Sequence, residues 1–225
     1  MFVAVPPRYD IVNHVVTLGL DTRWRRLAAC EVLSGMPGTF LDIGCGTGDL
    51  ALAAASMSTM NTSIAGLDYS QPMLDRAVIK AAKRAAAVSF IRGDVATLPF
   101  PNGSLDGVGI SFAFRNLTYR NPLTKQYLAE VLRVLRPGGR FIIVESSQPP
   151  NRVFRWLFQR YVRWFVRPAG IAVSGNPGAY RYLAESVARF YTADEVVSLL
   201  MNSGFNRAGY KRLFFGAAAV HTAVK

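Results

Sequence analysis

Most of the fold can be argued outward from Phe40-Leu41-Asp42-Ile43-Gly44-Cys45-Gly46-Thr47-Gly48-Asp49, where an apolar run breaks into alternating glycines and ends on an acid. This order of residues predicts a strand, a tight loop and the start of a helix. Gly44, Gly46 and Gly48 permit positive φ and let a ligand approach the backbone with no Cβ in the way. The loop is therefore a candidate binding site for a nucleotide-like ligand.

The spacing of these glycines narrows the class of ligand. A dinucleotide fingerprint, G-x-G-x-x-G, would need its third glycine at the position of Asp49. A carboxylate there would repel a pyrophosphate bound at the helix N-terminus. The observed spacing, with Asp42 ahead of the glycines, suits a cationic, phosphate-free adenosyl ligand. A glycine-rich turn that binds no ligand is the alternative interpretation.

Two further acids follow predicted strands. The apolar stretch 63–67 ends on Asp68, and an acid ~20 residues beyond the loop can reach a ribose diol in this topology. Asp94 follows the next apolar stretch, where a carboxylate can accept a hydrogen bond from an adenine amino group. We therefore predict that Asp68 binds the ribose and that Asp94 lies beside the adenine.

Apolar strand-like runs alternate with helical patterns along the middle of the chain. We predict strands at 39–43, 63–68, 88–91, 105–112 and 140–145, and helices at 12–33, 48–58, 72–86 and 124–135. Pro137-Gly138-Gly139 is predicted to end the last of these helices. A helix at 192–203, with a capping box formed by Thr192 and Glu195, precedes two closing antiparallel strands at 207–214 and 217–224. The pattern predicts an α/β, Rossmann-like fold with a seven-stranded, mostly parallel sheet.

Length and composition limit the classes of protein to which this chain can belong. The chain has 225 residues, a formal net charge of +12 and two cysteines, Cys30 and Cys45, whose separation suggests neither a disulfide framework nor a metal site. We expect no secretory signal, and no apolar run reaches the ~18 residues of a membrane span. The charge implies attraction to nucleic acid, to an acidic partner or to an anionic membrane surface.

An insertion at about 147–190 contains a basic amphipathic segment. At helical spacing, two sets of side chains fall on opposite sides of 152–167. One set is Phe154, Leu157, Phe158, Tyr161 and Phe165; the other is Arg152, Arg155, Arg160, Arg163 and Arg167. Such a helix can lie in a membrane interface, or it can pack its aromatic side on the domain and leave the arginines solvated. Trp156 and Trp164 favour the interface slightly.

The fourth predicted strand leads into Arg115-Asn116. Ligands bind at the carboxyl edge of open α/β sheets, so these two side chains follow the strand where a substrate would lie. Arg115 is therefore a candidate active-site residue opposite the glycine loop. An ordinary surface cation is the alternative.

Further motifs extend over nearly the whole chain. They are Tyr9-Asp10-Ile11-Val12-Asn13, Trp24-Arg25, Leu98-Pro99-Phe100, Phe114-Arg115-Asn116, Arg133-Val134-Leu135-Arg136-Pro137-Gly138-Gly139, Glu145-Ser146-Ser147-Gln148-Pro149, Tyr180-Arg181-Tyr182-Leu183-Ala184-Glu185-Ser186, Gly204-Phe205 and His221. Together with the loop they resemble the ubiquinone/menaquinone biosynthesis C-methyltransferases. These are class I S-adenosylmethionine (SAM) methyltransferases that methylate a ring carbon of a polyprenylated quinol.

The resemblance implies a single SAM-dependent methyltransferase domain over 1–225, with an N-terminal helical cap at about 8–35 and a lid or membrane-facing insertion at about 147–190. SAM would be the cofactor, and beside Asp42, Gly44 and Gly46 the implied contacts are Thr47, Asp68, Asp94, Val95 and Ser111. No metal is implied.

The same resemblance implies candidates for catalysis. Arg115 and Asn116 would hold the quinol oxygens, or a water that accepts the proton. Tyr182 and Glu185 are second-rank candidates, for which a structural role is the alternative. The family usually has a glycine where this chain has Ala113, and a threonine-containing turn where it has Phe214-Phe215-Gly216. Both differences touch the expected quinone pocket. A naphthoquinol and a benzoquinol therefore both remain open as the substrate.

The resemblance also implies partners and a location. We expect a lipid-soluble quinol substrate and a cytoplasmic protein peripheral to the anionic inner face of the membrane, with no nucleic-acid partner; a homodimer remains open. An RNA or other small-molecule methyltransferase is one alternative, but the fourth-strand motif lacks the Asp/Asn-Pro-Pro-aromatic signature of amino-group methylation. A non-catalytic SAM-binding accessory protein is another.

Overall fold

The computed structural model describes residues 10, 13–14, 17–34, 38–58, 62–166, 168 and 185–225. Within them the strands are β1 (Thr39–Ile43), β2 (Ser63–Asp68), β3 (Ser89–Arg92), β4 (Leu105–Ser111), β5 (Leu135–Ser146), β6 (Arg207–Leu213) and β7 (Ala218–Val224). The helices are α1 (Leu20–Leu33), α2 (Asp49–Ala55), α3 (Gln71–Lys83), α4 (Phe114–Thr118), α5 (Thr124–Val134), α6 (Arg152–Tyr161) and α7 (Ala193–Asn202). A π-helical turn, Val162–Val166, continues α6, and a 3-10 turn, Phe214–Gly216, joins β6 to β7.

The seven strands form one sheet in the order β3-β2-β1-β4-β5-β7-β6. Strands β1 to β5 are parallel, whereas β7 runs antiparallel to both of its neighbours. This confirms the predicted fold class. The chain moves outward from β1 in one direction through β2 and β3, and then returns to add β4 on the other side. A crevice is expected at the carboxyl ends of β1 and β4, where the strand order reverses.

Helices cover both faces of the sheet. On one face, Trp24 and Ala28 of α1 pack with Leu50 of α2 in a buried apolar cluster. On the other, Leu128 of α5 and Leu200 of α7 belong to a second cluster that also contains Phe141 of β5. The sheet is therefore held rigidly between two apolar layers, which fixes the loops at its carboxyl edge.

Beyond shifts of up to three residues at the ends of elements, three features differ from the prediction. The helix predicted at 12–33 is wrong at its N-terminal end, because residues 17–19 form a turn in which Leu18 and Gly19 have φ of 55° and 76°. The Pro137-Gly138-Gly139 turn lies within β5 as a bulge: Leu105 pairs with Leu135, but Gly107 pairs with Arg140. The short helix α4 was not predicted. The capping box of Thr192 and Glu195 is confirmed.

Among the residues described, no helix is both long enough and apolar enough to span a bilayer.

Candidate functional site

The glycine loop joins β1 to α2, and its glycines serve different purposes. Gly44, Gly46 and Gly48 all have positive φ, of 58°, 55° and 80°. A Cβ on Gly48 would lie 2.9 Å from the Phe90 ring, so this glycine permits close packing. A Cβ on Gly46 would meet no described atom within 4 Å, so this backbone faces open space. Gly46 is thus the part of the loop that a ligand can approach.

That open space is a cavity of about 280 Å³ at the carboxyl edge of β1, β2 and β4. Most of the predicted site residues line it: Gly44, Gly46, Thr47, Asp68, Asp94, Val95, Ser111 and Asn116. Asp42 and Arg115 do not. Tyr182 lies outside the described residues, and Glu185 is exposed. The structure therefore brings together seven of the eight residues predicted for cofactor binding and one of the two described residues predicted for catalysis.

Asp68 ties the end of β2 to the glycine loop. Its Oδ2 accepts a hydrogen bond from the backbone N–H of Gly46 at 2.8 Å, and its Oδ1 accepts one from Ser70 at 2.8 Å. Each carboxylate oxygen keeps further acceptor capacity, because an ionised carboxylate offers about four lone-pair sites. Asp68 can therefore fix the loop and still accept hydrogen bonds from a diol in the cavity.

An ion-pair cluster surrounds Asp49. Lys80 Nζ contacts Asp49 and also lies 3.2 Å from Asp10 Oδ2 and 3.0 Å from Thr47 Oγ1. Arg25 lies 3.5 Å from Asp49 on the other side. The negative charge of Asp49, the residue whose position argued against a bound pyrophosphate, is thus partly neutralised.

Arg25 connects that cluster to β4. Its guanidinium pairs with Asp21 at 2.5 Å, and its Nε donates to Ser111 Oγ at 3.2 Å. The cluster therefore contains three carboxylates and two cations. The carboxylates are those of Asp10, Asp21 and Asp49, and the cations are Arg25 and Lys80. Sequence reasoning missed Lys80, since one lysine in an Ala/Lys/Arg-rich helix gives no signal of its own. The sequence analysis named Arg25 only as part of the Trp24-Arg25 motif and predicted no role for it.

Asp42 lies beneath the loop and is buried. Its Oδ2 accepts a hydrogen bond from the Ala51 N–H at 3.1 Å, which anchors the first turn of α2. Burial raises its pKa to about 8, so the carboxyl is mostly protonated at neutral pH. This placement gives Asp42 a supporting role behind the loop. It does not favour the predicted direct contact with the cofactor.

Arg115 and Asn116 diverge although they are adjacent. Arg115 is buried: its guanidinium Nη1 lies 3.0 Å from Glu145 Oε1 and 3.2 Å from Ser146 Oγ. Its backbone N–H donates to Glu145 Oε2 at 3.0 Å. Asn116, one residue further along α4, lines the cavity. The Arg115–Glu145 pair therefore fixes α4 from behind, while Asn116 faces the space in front of the glycine loop.

The cavity suits the cationic adenosyl group that the sequence predicts. Its wall contains the carboxylates of Asp49, Asp68 and Asp94. Among the described lining residues Arg25 is the only basic one, and it is already ion-paired. A pyrophosphate would find no unpaired cation among these described residues. SAM, a sulfonium with an adenosine and an amino-acid moiety but no phosphate, is compatible with this lining.

Comparison with solved structures agrees with this class. A SAM-dependent methyltransferase from Aquifex aeolicus superimposes with a TM-score of 0.58 at 17% identity, covering 91% of this chain and 97% of the other. At that identity the similarity concerns the fold alone. The fold, together with the match of the ubiE/COQ5 methyltransferase family model to this chain, defines a class I SAM-dependent methyltransferase, with SAM as the cofactor.

The family is narrower than this class. The model of the ubiE/COQ5 methyltransferase family matches residues 1–225, and the chain belongs to that family. The demethylmenaquinone methyltransferase of Thermus thermophilus is 39% identical over 221 residues, which are 98% of each chain. The ubiquinone/menaquinone biosynthesis C-methyltransferase of Geobacter sulfurreducens is 35% identical over 229 residues, covering 100% of this chain and 87% of its own.

Proposed function

We propose that this enzyme transfers the methyl group of SAM to a ring carbon of a polyprenylated quinol, either demethylmenaquinol or the equivalent benzoquinol of ubiquinone biosynthesis. The observation that carries the proposal is the similarity over essentially the full chain to relatives that are demethylmenaquinone methyltransferases. An open cavity with Asn116 on its wall, close to the glycine loop, supports it.

Methyl transfer depends mainly on how the protein positions the two reactants. SAM supplies an electrophilic methyl group on a sulfonium. A quinol carbon ortho to a hydroxyl becomes nucleophilic as that hydroxyl loses its proton. The protein has to align the two reactants, exclude water and stabilise the developing oxyanion. Phe112 and Leu117 form an apolar part of the cavity wall and would exclude water there.

We assign Asn116 to the oxyanion. The Asn116 amide can donate a hydrogen bond to a quinol oxygen in the cavity, where a fixed donor stabilises negative charge more than water does. Its backbone is held in place, because the Asn116 N–H donates to Ala113 at 3.0 Å and its carbonyl accepts from Asn121 Nδ2 at 3.0 Å. The backbone that carries this donor is therefore fixed before the acceptor arrives.

Arg115 is proposed to act through Asn116. Its guanidinium and its backbone N–H both bind Glu145, so it fixes the helix that presents Asn116. This positioning role replaces the direct contact of Arg115 with the quinol that the sequence predicted. A contact between Tyr182 and the quinol stays a proposal that rests on the family resemblance.

We further propose that the enzyme works at the cytoplasmic face of an anionic membrane, where its substrate resides, with 147–190 as a lid or membrane-facing segment. Residues 146–184 contain six arginines and no Asp or Glu. This supports attraction to anionic headgroups.

The test is methyl transfer from labelled SAM to reduced demethylmenaquinone, to benzoquinol precursors and to total RNA. We expect labelled quinol and unlabelled RNA. Labelled RNA with inert quinols would overturn the proposal.

The assignment of Asn116 is tested with Asn116→Ala. Loss of one oxyanion donor should lower kcat by about a hundredfold and leave the Kd for SAM within about twofold. Asn206→Ala, which truncates an exposed amide on the β6 side of the sheet, is the matched control and should behave as wild type. An equal loss of kcat and of SAM affinity in Asn116→Ala would remove Asn116 from the acceptor side.

A further inference from the structure

Exposed apolar side chains are concentrated in one part of the described surface. Of the fourteen large apolar side chains that are exposed there, eight lie in α6, in its π-helical continuation or in the β6–β7 turn. They are Val153, Phe154, Trp156, Leu157, Trp164, Phe165, Phe214 and Phe215. Such a cluster on a soluble fold marks an interaction surface.

The two segments meet through aromatic stacking. The Phe154 and Phe215 rings are parallel within 10°, with centroids 4.6 Å apart. A Cβ on Gly216 would lie 2.8 Å from Pro150 Cδ, so the turn packs closely against the residues that lead into α6. We call Phe154, Phe214 and Phe215 the aromatic tip. It forms one continuous surface with the exposed side of α6.

The backbone of the aromatic tip is strained. Phe214, Phe215 and Gly216 have φ of 43°, 54° and 90°, three consecutive left-handed residues of which two are phenylalanines. This conformation suits glycine or asparagine and disfavours bulky side chains. Yet Phe214 is 49% exposed and Phe215 is 67% exposed, so neither ring is there to fill the core. Strain that no core packing offsets points to a function for the exposed rings.

Positive charge borders the apolar surface. Arg160 lies over the Trp156 ring at 4.8 Å, and Arg163 over the Trp164 ring at 5.9 Å. Exposed Lys211 and Arg212 precede the aromatic tip on β6. Exposed aromatic rings edged by cations match an anionic bilayer, in which indoles and arginines lie at the headgroups and phenylalanines below them.

The aromatic tip lies at the edge of the sheet where the cavity opens. Ala218, just after the turn, pairs with Ser146 at the carboxyl end of β5. Ser146 in turn contacts Arg115, one residue from the Asn116 that lines the cavity. A membrane bound at the aromatic tip would therefore face the same edge as the methyl-transfer site.

We propose that the aromatic tip inserts into the apolar layer of an anionic membrane, as a wedge distinct from the arginine-rich side of α6, and so turns the mouth of the cavity toward the bilayer. The second part of this proposal rests on the proposed function, because only a lipid-soluble acceptor gives the orientation a purpose. Insertion itself is a property of the surface.

The test replaces the turn by residues that suit its backbone. Phe214→Asn with Phe215→Gly removes both rings and keeps the left-handed conformation accessible. The binding of wild type and variant to vesicles of phosphatidylglycerol and phosphatidylcholine is measured by flotation. We expect the variant to partition into vesicles at least about tenfold less than wild type, since two apolar side chains no longer leave water on binding. The variant should keep its melting temperature.

The matched control is Val78→Ser with Ile79→Ser, which removes two exposed apolar side chains from α3. This control should bind vesicles as wild type does. Wild-type binding should also weaken in pure phosphatidylcholine and at high salt. The proposal is overturned if the tip variant floats like wild type, or if the control loses as much binding as the tip variant.

Methyl transfer to a quinol without a long prenyl chain, in buffer, separates this proposal from the proposed function. If wild type methylates no quinol but the tip variant loses vesicle binding, the function is wrong and the wedge stands. If both proteins methylate the soluble quinol equally and both float, the function stands and the wedge is wrong. Loss of soluble-quinol activity in the tip variant would place these rings in the substrate pocket instead, and would also overturn the wedge.

Discussion

The glycine loop and the aromatic tip both place consecutive or alternating residues in the left-handed region, but with opposite residue types. In the loop, glycines adopt φ between 55° and 80° at little steric cost, and one of them leaves its backbone open to the cavity. At the tip, two phenylalanines adopt φ of 43° and 54° and expose their rings. The loop offers its backbone to a ligand, whereas the tip exposes side chains. The backbone of the tip is strained because the residues that expose these rings are phenylalanines and not glycines.

The two regions also differ in how their parts are held. Around the cavity, carboxylates and cations bind one another or the backbone, as in the Arg115–Glu145 pair. At the tip, the rings stack and the turn packs closely against Pro150, with a backbone hydrogen bond from the Ala217 N–H to the Phe214 carbonyl. We therefore expect substitutions near the cavity to affect folding and binding strongly, and substitutions at the tip to affect stability little.

Arg115→Met should have the largest effect. It leaves the Glu145 carboxylate fully buried with no cation, which costs about 3–5 kcal/mol of unfolding free energy. For a protein of this size that corresponds to a melting temperature lower by about 10 °C. Calorimetry or urea unfolding measures the loss.

The double variant Arg115→Met with Glu145→Met sharpens this prediction. An apolar pair of similar volume should restore most of the stability, because neither charge is then buried alone. Asp194→Asn breaks an exposed pair with Arg212 and is the control, with an expected cost below about 1 kcal/mol. A double variant as unstable as the single one would show that the pair does not act by charge balance.

Asp68→Ala should have the next largest effect, on SAM affinity. It removes the acceptor for the Gly46 and Ser70 N–H groups and, in our assignment, the ribose ligand. We expect the Kd for SAM, measured by titration calorimetry, to rise at least about a hundredfold, or about 2.7 kcal/mol. Asp75→Ala removes an exposed carboxylate from α3 and should leave the Kd unchanged. An unaltered Kd in Asp68→Ala would contradict a ribose contact.

Asp42→Asn should alter the pH dependence of stability. The folded pKa of Asp42, about 8, lies above the unfolded value, so the carboxyl favours folding when protonated. That stabilisation is complete below the unfolded pKa and is lost as the pH rises through the folded one. Between pH ~6 and ~9, wild type should therefore lose about 3 kcal/mol more unfolding free energy than Asp42→Asn.

The difference between the two proteins is the quantity to compare, because all other titrating groups are shared and cancel. Urea unfolding at several pH values measures it. Parallel pH profiles would show that Asp42 is ionised in the fold, and the supporting role behind the loop would then need another explanation.

The sequence predicted the sheet and the glycine loop well, because both depend on local patterns. Apolar runs ending on glycine or acid placed β1 and β2 within one residue of their observed ends. The β5 bulge at Gly138 and the turn at Gly19 were missed, since a glycine permits a left-handed residue without requiring it. Local sequence pattern therefore predicts helices and strands well, but it predicts bulges and turns within them less reliably.

The site was predicted less completely, because side-chain direction depends on tertiary packing. Arg115 and Asn116 were expected to act together. Adjacent residues on a helix point about 100° apart, so the packing of α4 on β5 sends Arg115 to Glu145 and leaves Asn116 at the cavity. Lys80 reaches Asp49 across 31 positions of sequence, which no spacing rule anticipates.

Phe215→Asn should have the smallest effect on stability and tests the contrast between the two regions directly. Truncating a buried phenylalanine costs about 3–5 kcal/mol, and Phe141→Ala in β5 is the matched case, since its side chain is almost fully buried. At Phe215 the lost stacking on Phe154 is offset by relief of the left-handed strain, so we expect a change of about 0.5 kcal/mol or less in urea unfolding. A loss comparable to that of Phe141→Ala would show that the tip stabilises the fold, and the strain would then have a structural reason instead of a functional one.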